Sequence, residues 1–169
     1  MLRVFLTNLG KYNEGELVGE WLDLPATEEE LQAAFRRIGI NGVDYEEYFF
    51  TDWETDIEGL RLGEYMNLEE LNELAAKYED LQDWEKETVQ AIMELEGCDL
   101  EEAVEVRDQY SLYPDIHTNE DLGYYWFFEA GICDIPDNLA CYIDCERFGR
   151  DVALEADGGF TSKGWLERI

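Results

Sequence analysis

NLEELNELAAKYEDLQDWEKETVQAIMELEGCDLEEAVEVRD, residues 67–108, reads as three short helices in series, apolar on one side and rich in carboxylates on the other. Asn67 stands where an N-cap is wanted, and Leu71, Leu74, Ala75 and Tyr78 recur at helical spacing through about Asp80. Asp83 caps a second helix running to Glu96, with Val89, Ile92, Met93 and Leu95 as its apolar surface and Gly97 as its stop. Asp99 with Glu102 makes a capping box and opens a third helix through about Arg107. Helices of about three turns do not hold alone in water, so these must pack on one another or on neighbours.

On the amino-terminal side the pattern is mixed. Arg3 to Thr7 reads as a strand, Asn8 to Gly15 as a polar turn region, and Glu16 to Leu22 as a second strand with Leu17 and Trp21 in step. Thr27 and Glu30 form a capping box for a helix whose Leu31, Ala34, Phe35 and Ile38 share a face, ended by Gly39. Tyr45 to Trp53 is a third, aromatic-rich strand. On the carboxy-terminal side, Tyr110 to Ile116 reads as a strand with Pro114 near an edge. Asn119 caps a helix through Ala130, and Pro136 opens another with Leu139, Tyr142 and Ile143 facing inward. Val152 to Glu155, a turn at 156–159 and Phe160 onward read as a β-hairpin. The fold class is therefore α+β, with β-containing ends around an acidic helical middle. The expected divisions are 1–61, a small sheet with one helix; 62–108, acidic and helical; and 109–169, α+β with a carboxy-terminal hairpin.

The chain of 169 residues carries 42 acids against 12 Lys and Arg, a net charge of -30. Residues 41–130 hold 27 of the acids and only 4 of the bases. Low hydrophobicity with high net charge would mean disorder. Here 46% of residues are hydrophobic and 14% aromatic, which supplies core material for a folded protein. Self-repulsion on this scale works against the compact state, and it repels nucleic acid and anionic membrane while attracting a basic groove. No segment has the roughly 18 consecutive apolar residues of a membrane span, and no signal-peptide cleavage pattern follows Met1 to Asn8. A cytoplasmic location is expected, with Cys98, Cys133, Cys141 and Cys145 as reduced thiols.

Sites for chemistry are thin. His117 is the only histidine, and no nucleophile has a recognisable context beside it. Among 42 acids nearly any carboxylate pair can be found, so a glycosidase pair has no specificity. Cys141 and Cys145 are spaced to share a helix face with Cys133 upstream, but no CxxC occurs and structural zinc shows tighter spacing. Asp52, Glu54, Asp56 and Glu58 alternate like the start of a calcium loop, yet Ile57 stands where Gly is required and Gly63 where Glu is required. No catalytic residue, cofactor or metal is expected, and four bases in ninety residues leave no phosphate-binding patch.

What remains is the carboxylate array. Glu69, Glu70, Glu73, Glu79 and Asp80 can line one helix, Asp83, Glu87 and Glu94 the next, and Glu101, Glu102, Glu105 and Asp108 the third. Glu46, Glu47, Asp52 and Glu54 extend the series toward the amino terminus. Carboxylates one helical turn apart stand roughly 5.4 Å from each other. Thirty net charges match about 50 Å of duplex at one charge per ~1.7 Å. Most charge runs are merely solvated faces, and charge density alone does not decide between that and mimicry of DNA. The run Tyr124, Tyr125, Trp126, Phe127 and Phe128 is a candidate self-association patch or a core segment.

The segment NLGKYNEGELVGEW at 8–21 closely resembles the amino-terminal signature of ArdA-type antirestriction proteins, through Asn8, Tyr12, Asn13, Gly15, Leu17, Gly19 and Trp21. EEYFFTDWE at 46–54 looks like the family's next block. YIDCERFGRDVALEADGGF at 142–160 resembles its carboxy-terminal block through Tyr142, Asp144, Gly149, Arg150 and Asp151. The blocks stand in the family's order and span the chain. The resemblance implies an elongated homodimer of three small domains in series, carried by mobile DNA. It also implies mimicry of B-form DNA and inhibition of type I restriction–modification enzymes at their methyltransferase core. Gly15, Gly19, Trp21 and Trp53 suit scaffold roles, leaving partner binding to the outward acids. An acidic binding module for another basic DNA-binding protein is the alternative, and a carboxylate hydrolase a third.

Overall fold

The computed structural model describes residues 1–132 and 134–169. They fall into two compact units, Met1–Gln82 and Asp83–Ile169.

In the first unit, β1 (Leu2–Asn8) is the central strand of an antiparallel sheet between β2 (Gly19–Leu24) and β3 (Tyr48–Thr55). Alternation along β1 decides the faces. Leu2, Val4 and Leu6 are buried and stand opposite Leu24, Leu22 and Phe50, also buried. A bulge at Thr51 shifts β3 by one residue between Phe5 and Leu6, keeping Phe50 on the core side. α2 (Glu28–Arg37) covers this face with Leu31 and Ala34, followed by buried Ile38. Its capping box is complete: Glu30 N–H donates to Thr27 Oγ1 at 3.3 Å and Thr27 N–H to Glu30 Oε2 at 2.8 Å. Leu68, Leu71 and Ala75 of α3 (Leu68–Glu79) join the same core, and Asn67 caps the helix as expected. Leu74 is half-buried.

Three details of this unit depart from the sequence reading. Residues 8–15 hold a short helix, α1 (Leu9–Asn13), where a bare turn was expected. Buried Asn8 accounts for it: its Oδ1 accepts from Lys11 N–H at 2.9 Å and its Nδ2 donates to the Ile38 carbonyl at 3.0 Å. β2 begins at Gly19 rather than Glu16, and Leu17 is exposed. Trp21 is not in the core. It stands opposite Phe5 on the other sheet face, edge-to-face at 5.4 Å, with the Arg3 guanidinium 4.8 Å over its ring. Trp53, opposite Val4, does pack against the core.

The second unit centres on the antiparallel sheet β4 (Tyr110–Tyr113), β6 (Gly164–Arg168) and β5 (Gly158–Thr161), in that order. α4 (Asp83–Glu96) lies against the sheet with Val89, Ile92 and Met93 buried, and α5 (Leu100–Val106) packs on α4 through Leu100, Ala103 and Val104. A 3-10 turn, Arg107–Gln109, leads into β4. α6 (Asn119–Tyr124) runs into one π turn, Tyr125–Glu129; α7 (Asp137–Ala140) and α8 (Cys145–Glu155) follow. α6 and α8 cross with backbones in contact. A Cβ on Gly123 would lie 1.9 Å from the Cys145 carbonyl oxygen, and one on Gly149 would lie 1.8 Å from that of Asn119. Ile116, Leu122 and Trp165 form the adjoining core.

Here too some expectations are corrected. Asp83 is the first residue of α4 rather than its cap, and Leu95 is 36% exposed. β4 ends at Tyr113, before Pro114, which has no N–H to pair. Thr118, not Asn119, caps α6, in a reciprocal box with Asp121. Residues 152–155 are the end of α8, not a strand: Asp144 Oδ1 accepts from Arg147 N–H at 3.0 Å and starts the helix, and Val152 and Ala153 pack on the Trp165 core. The hairpin is β5–β6, turning at Ser162 and Lys163. Leu139 and Tyr142 are exposed rather than inward-facing. Cys141 ends α7 and Cys145 begins α8, so they do not share a helix face.

Candidate functional site

All sixteen carboxylates expected to form the partner surface are exposed. The reason lies in the apolar periodicity of each element. On α3, burial of Leu68, Leu71, Ala75 and Tyr78 turns Glu69, Glu70 and Glu73 outward, with Glu79 and Asp80 at the carboxy-terminal end. On α4, burial of Val89, Ile92 and Met93 leaves Asp83, Glu87 and Glu94 along the exposed side at spacings of four and seven residues. On α5 and its following turn, Glu101, Glu105 and Asp108 follow at spacings of four and three residues, beside Glu102. Asp52 and Glu54 alternate with core residues on β3, opposite Phe5 and Arg3, while Glu46 and Glu47 precede the strand.

Five of the sixteen have local partners, Asp52 through the Trp53 N–H, which donates to its Oδ1 at 2.8 Å. Glu54 lies 3.5 Å from Arg3, Glu79 3.4 Å from the terminal amine, and Asp108 3.8 Å from Arg107. Glu94 is more deeply committed. Its carboxylate accepts from the Ser162 hydroxyl at 2.6 Å and the Ser162 N–H at 2.9 Å, pinning the β5–β6 turn to α4. Those donors, the hydroxyl foremost, hold its carboxyl below the usual glutamate range. The remaining eleven form no ion pair among the described residues.

Four of the bases are engaged mainly by acids outside this set. Arg3 bridges Asp23 and Glu54 across three strands, Lys11 reaches Glu14 and Glu16, and Arg37 grips Glu20 at 2.6 Å. Arg107 lies 3.3 Å from Glu85. Several carboxylates also sit where a helix dipole opposes them. Glu79 and Asp80 close α3, Glu94 and Glu96 close α4 with no base in its last turn, and Glu155 closes α8 likewise. A charge of the wrong sign at a helix end costs roughly 0.3–1 kcal/mol. Stability alone would not put acids there.

The structure also gathers acids that the sequence reading passed over. Asp115, Glu120, Asp121 and Glu129 surround a cleft of about 260 Å³ beside Tyr124 and Tyr125. Their spacing along α6 was legible, but the turn that brings Asp115 to them was not. The aromatic run divides: Tyr124 and Phe128 stay exposed with rings 5.0 Å apart, Tyr125 and Trp126 pack on the Trp165 core, and Phe127 meets Phe148 at 4.3 Å.

His117 is exposed, and its backbone N–H donates to Asp121 at 3.2 Å. Burial raises the Cys98 and Cys145 thiols, the reverse of an activated nucleophile. Cys141 is exposed, and Cys133 lies outside the described residues. Among the described residues no group of three or more His, Cys, Asp or Glu is placed to hold a metal ion, and no helix is long and apolar enough to cross a membrane.

The residues of the amino-terminal signature serve the scaffold. Asn8 caps α1, the Tyr12 ring packs on Phe49 at 5.1 Å, and Gly15 turns the chain at φ +89°. A Cβ on Gly19 would strike the Leu6 carbonyl oxygen at 2.7 Å. Gly149, in the carboxy-terminal block, is the α6–α8 crossing point. No curated protein matches the chain. The family model of the antirestriction protein (ArdA) matches residues 4–167. With all but a few terminal residues matched, the chain belongs to the ArdA family of antirestriction proteins.

Proposed function

We propose that this antirestriction protein mimics duplex DNA with its carboxylates and occupies the DNA-binding groove of a type I restriction–modification enzyme, at the methyltransferase core. The observation that carries the reading is the exposure of all sixteen acids on the outer faces of elements whose apolar faces are buried. Thirteen carry no ion pair among the described residues, and several oppose a helix dipole, so their negative field is directed at solvent. A basic groove that holds phosphates through Lys and Arg would be held by these carboxylates through the same charges, with release of the ions condensed on each surface. DNA is then excluded without a covalent step or cofactor, and incoming unmodified mobile DNA survives. Self-association through the exposed part of Tyr124 to Phe128 would double the length of duplex matched.

The test is cleavage of unmodified DNA by a purified type I enzyme with rising amounts of this protein. Cleavage should fall to background near stoichiometric protein at low salt and recover as salt is raised. Undiminished cleavage at large excess would sink the proposal.

A further inference from the structure

Trp84 is out of place on so charged a surface. It is the second residue of α4, between Asp83 and Glu85, and its side chain is 66% exposed. Its backbone is not loose, since the Thr88 hydroxyl donates to the Trp84 carbonyl at 2.9 Å and anchors the first helical turn. The indole separates two clefts. One, of about 170 Å³, is lined by Glu85, Thr88, Arg107, Asp108 and Tyr110. It already contains a cation: the Arg107 guanidinium lies 3.3 Å from Glu85 and donates to the Val104 carbonyl at 2.7 Å. The other, of about 210 Å³, is lined by Glu87, Thr88, Tyr110, Ser111, Leu112 and Pro114. It has an indole wall and a carboxylate but no base in its lining; the Tyr110 ring, shared with the first cleft, already has the Arg168 guanidinium 5.4 Å over it, so the indole is the open aromatic face.

We infer that this second cleft receives a guanidinium or ammonium side chain from the basic partner, held against Trp84 and paired with Glu87. An indole face is the strongest of the protein cation–π acceptors, and a partly enclosed ion pair is screened less than an open one. The apolar stem of Arg or Lys would lie along Leu112 and Pro114. Trp is enriched at the few positions that carry most of an interface's binding energy. The occupant is a cationic side chain rather than an apolar one because Glu87 is the charged group lining the cleft, and the neighbouring cleft already holds a guanidinium between Glu85 and Asp108. The inference rests on the functional reading above and adds to it one anchoring point whose contribution is not purely long-range charge.

The experiment measures binding of the full-length chain to a purified type I methyltransferase core at several salt concentrations, for the wild type, Trp84→Phe, Trp84→Leu and Glu87→Gln. Trp84→Leu should weaken binding about tenfold at every salt concentration without changing the slope of log Kd against log salt, and Trp84→Phe should recover part of the loss. Glu87→Gln should weaken binding and flatten the slope. Unfolding midpoints should not move, because Trp84 is exposed. Equal affinity of wild type and Trp84→Leu overturns the assignment of Trp84 while the functional reading stands. A loss shared equally by Phe and Leu also overturns it, since the ring face would then not matter. Absence of binding by every variant and the wild type overturns the functional reading and this inference together.

Discussion

At the scale of single residues, Gly149 and Glu94 show how scaffold and surface divide the work. Gly149 has no freedom to grow: the Asn119 carbonyl oxygen would stand 1.8 Å from its Cβ, and backbone cannot swing aside as a flexible side chain can. Gly149→Ala should therefore cost at least ~1–3 kcal/mol, read as a lower midpoint in urea unfolding. Glu94 shows that exposure does not by itself make a carboxylate a partner-binding group. It fastens Ser162 while Glu87, two turns earlier on the same helix, makes no ion pair or side-chain hydrogen bond among the described residues. Glu94→Gln should lose about 0.5–1 kcal/mol at neutral pH, less than a buried charged hydrogen bond because the carboxylate is open to water. Glu87→Gln should stay within ~0.5 kcal/mol of wild type. Because folding depresses the Glu94 carboxyl, its stabilisation is complete above the unfolded glutamate value near ~4.3 and fades as pH falls through the folded one. The gap between wild type and Glu94→Gln, followed by thermal unfolding from pH 7 to pH 3, should close at the acid end.

At the scale of elements, the legible parts were those whose determinants are local. Thr27 with Glu30, Asn67 and Asp99 each announce a helix by a side chain that reaches only three residues ahead, and each cap is in place. The apolar stripes of α3 and α4 were legible for the same reason, and with them the outward direction of the acids. Some local caps were misplaced by one residue, Asp83 and Asn119 among them, but the two larger failures depended on contacts distant in sequence. Val152 to Glu155 has strand-like chemistry, but it belongs to a helix because Gly149 lets α8 lie against α6 and Val152 reach the Trp165 core. Trp21 looks like a core residue by type, yet a strand has two faces, and only its pairing with Phe5 puts it on the outer one. On the acidic helices, mimicry distributes binding over many charges. Glu73→Gln, Glu101→Gln and Glu105→Gln should each weaken binding to the methyltransferase core by about two- to fivefold, with roughly multiplicative losses in combination. One indispensable carboxylate among them, measured in the same titrations, would indicate an active site instead.

At the scale of the whole molecule, charge is not confined to the helical middle. Met1–Gln82 holds 20 acids against 6 bases and Asp83–Ile169 holds 22 against 6, so each compact unit is strongly negative by itself. The sequence reading placed most of the excess in residues 41–130, and the folded units share that stretch between them: α3 belongs to the first, α4 and α5 to the second. Each unit thus pairs a small antiparallel sheet with helices that turn apolar stripes inward and carboxylates outward. Mimicry requires these charges to stand where a duplex would put its phosphates. The direct measurement is equilibrium competition, in which labelled duplex DNA is titrated with methyltransferase core at fixed concentrations of this protein. Mimicry predicts that the apparent Kd for DNA rises in proportion to the protein added, with no complex containing DNA and inhibitor together. An unchanged Kd, or a stable ternary complex of enzyme, DNA and this protein, would contradict it.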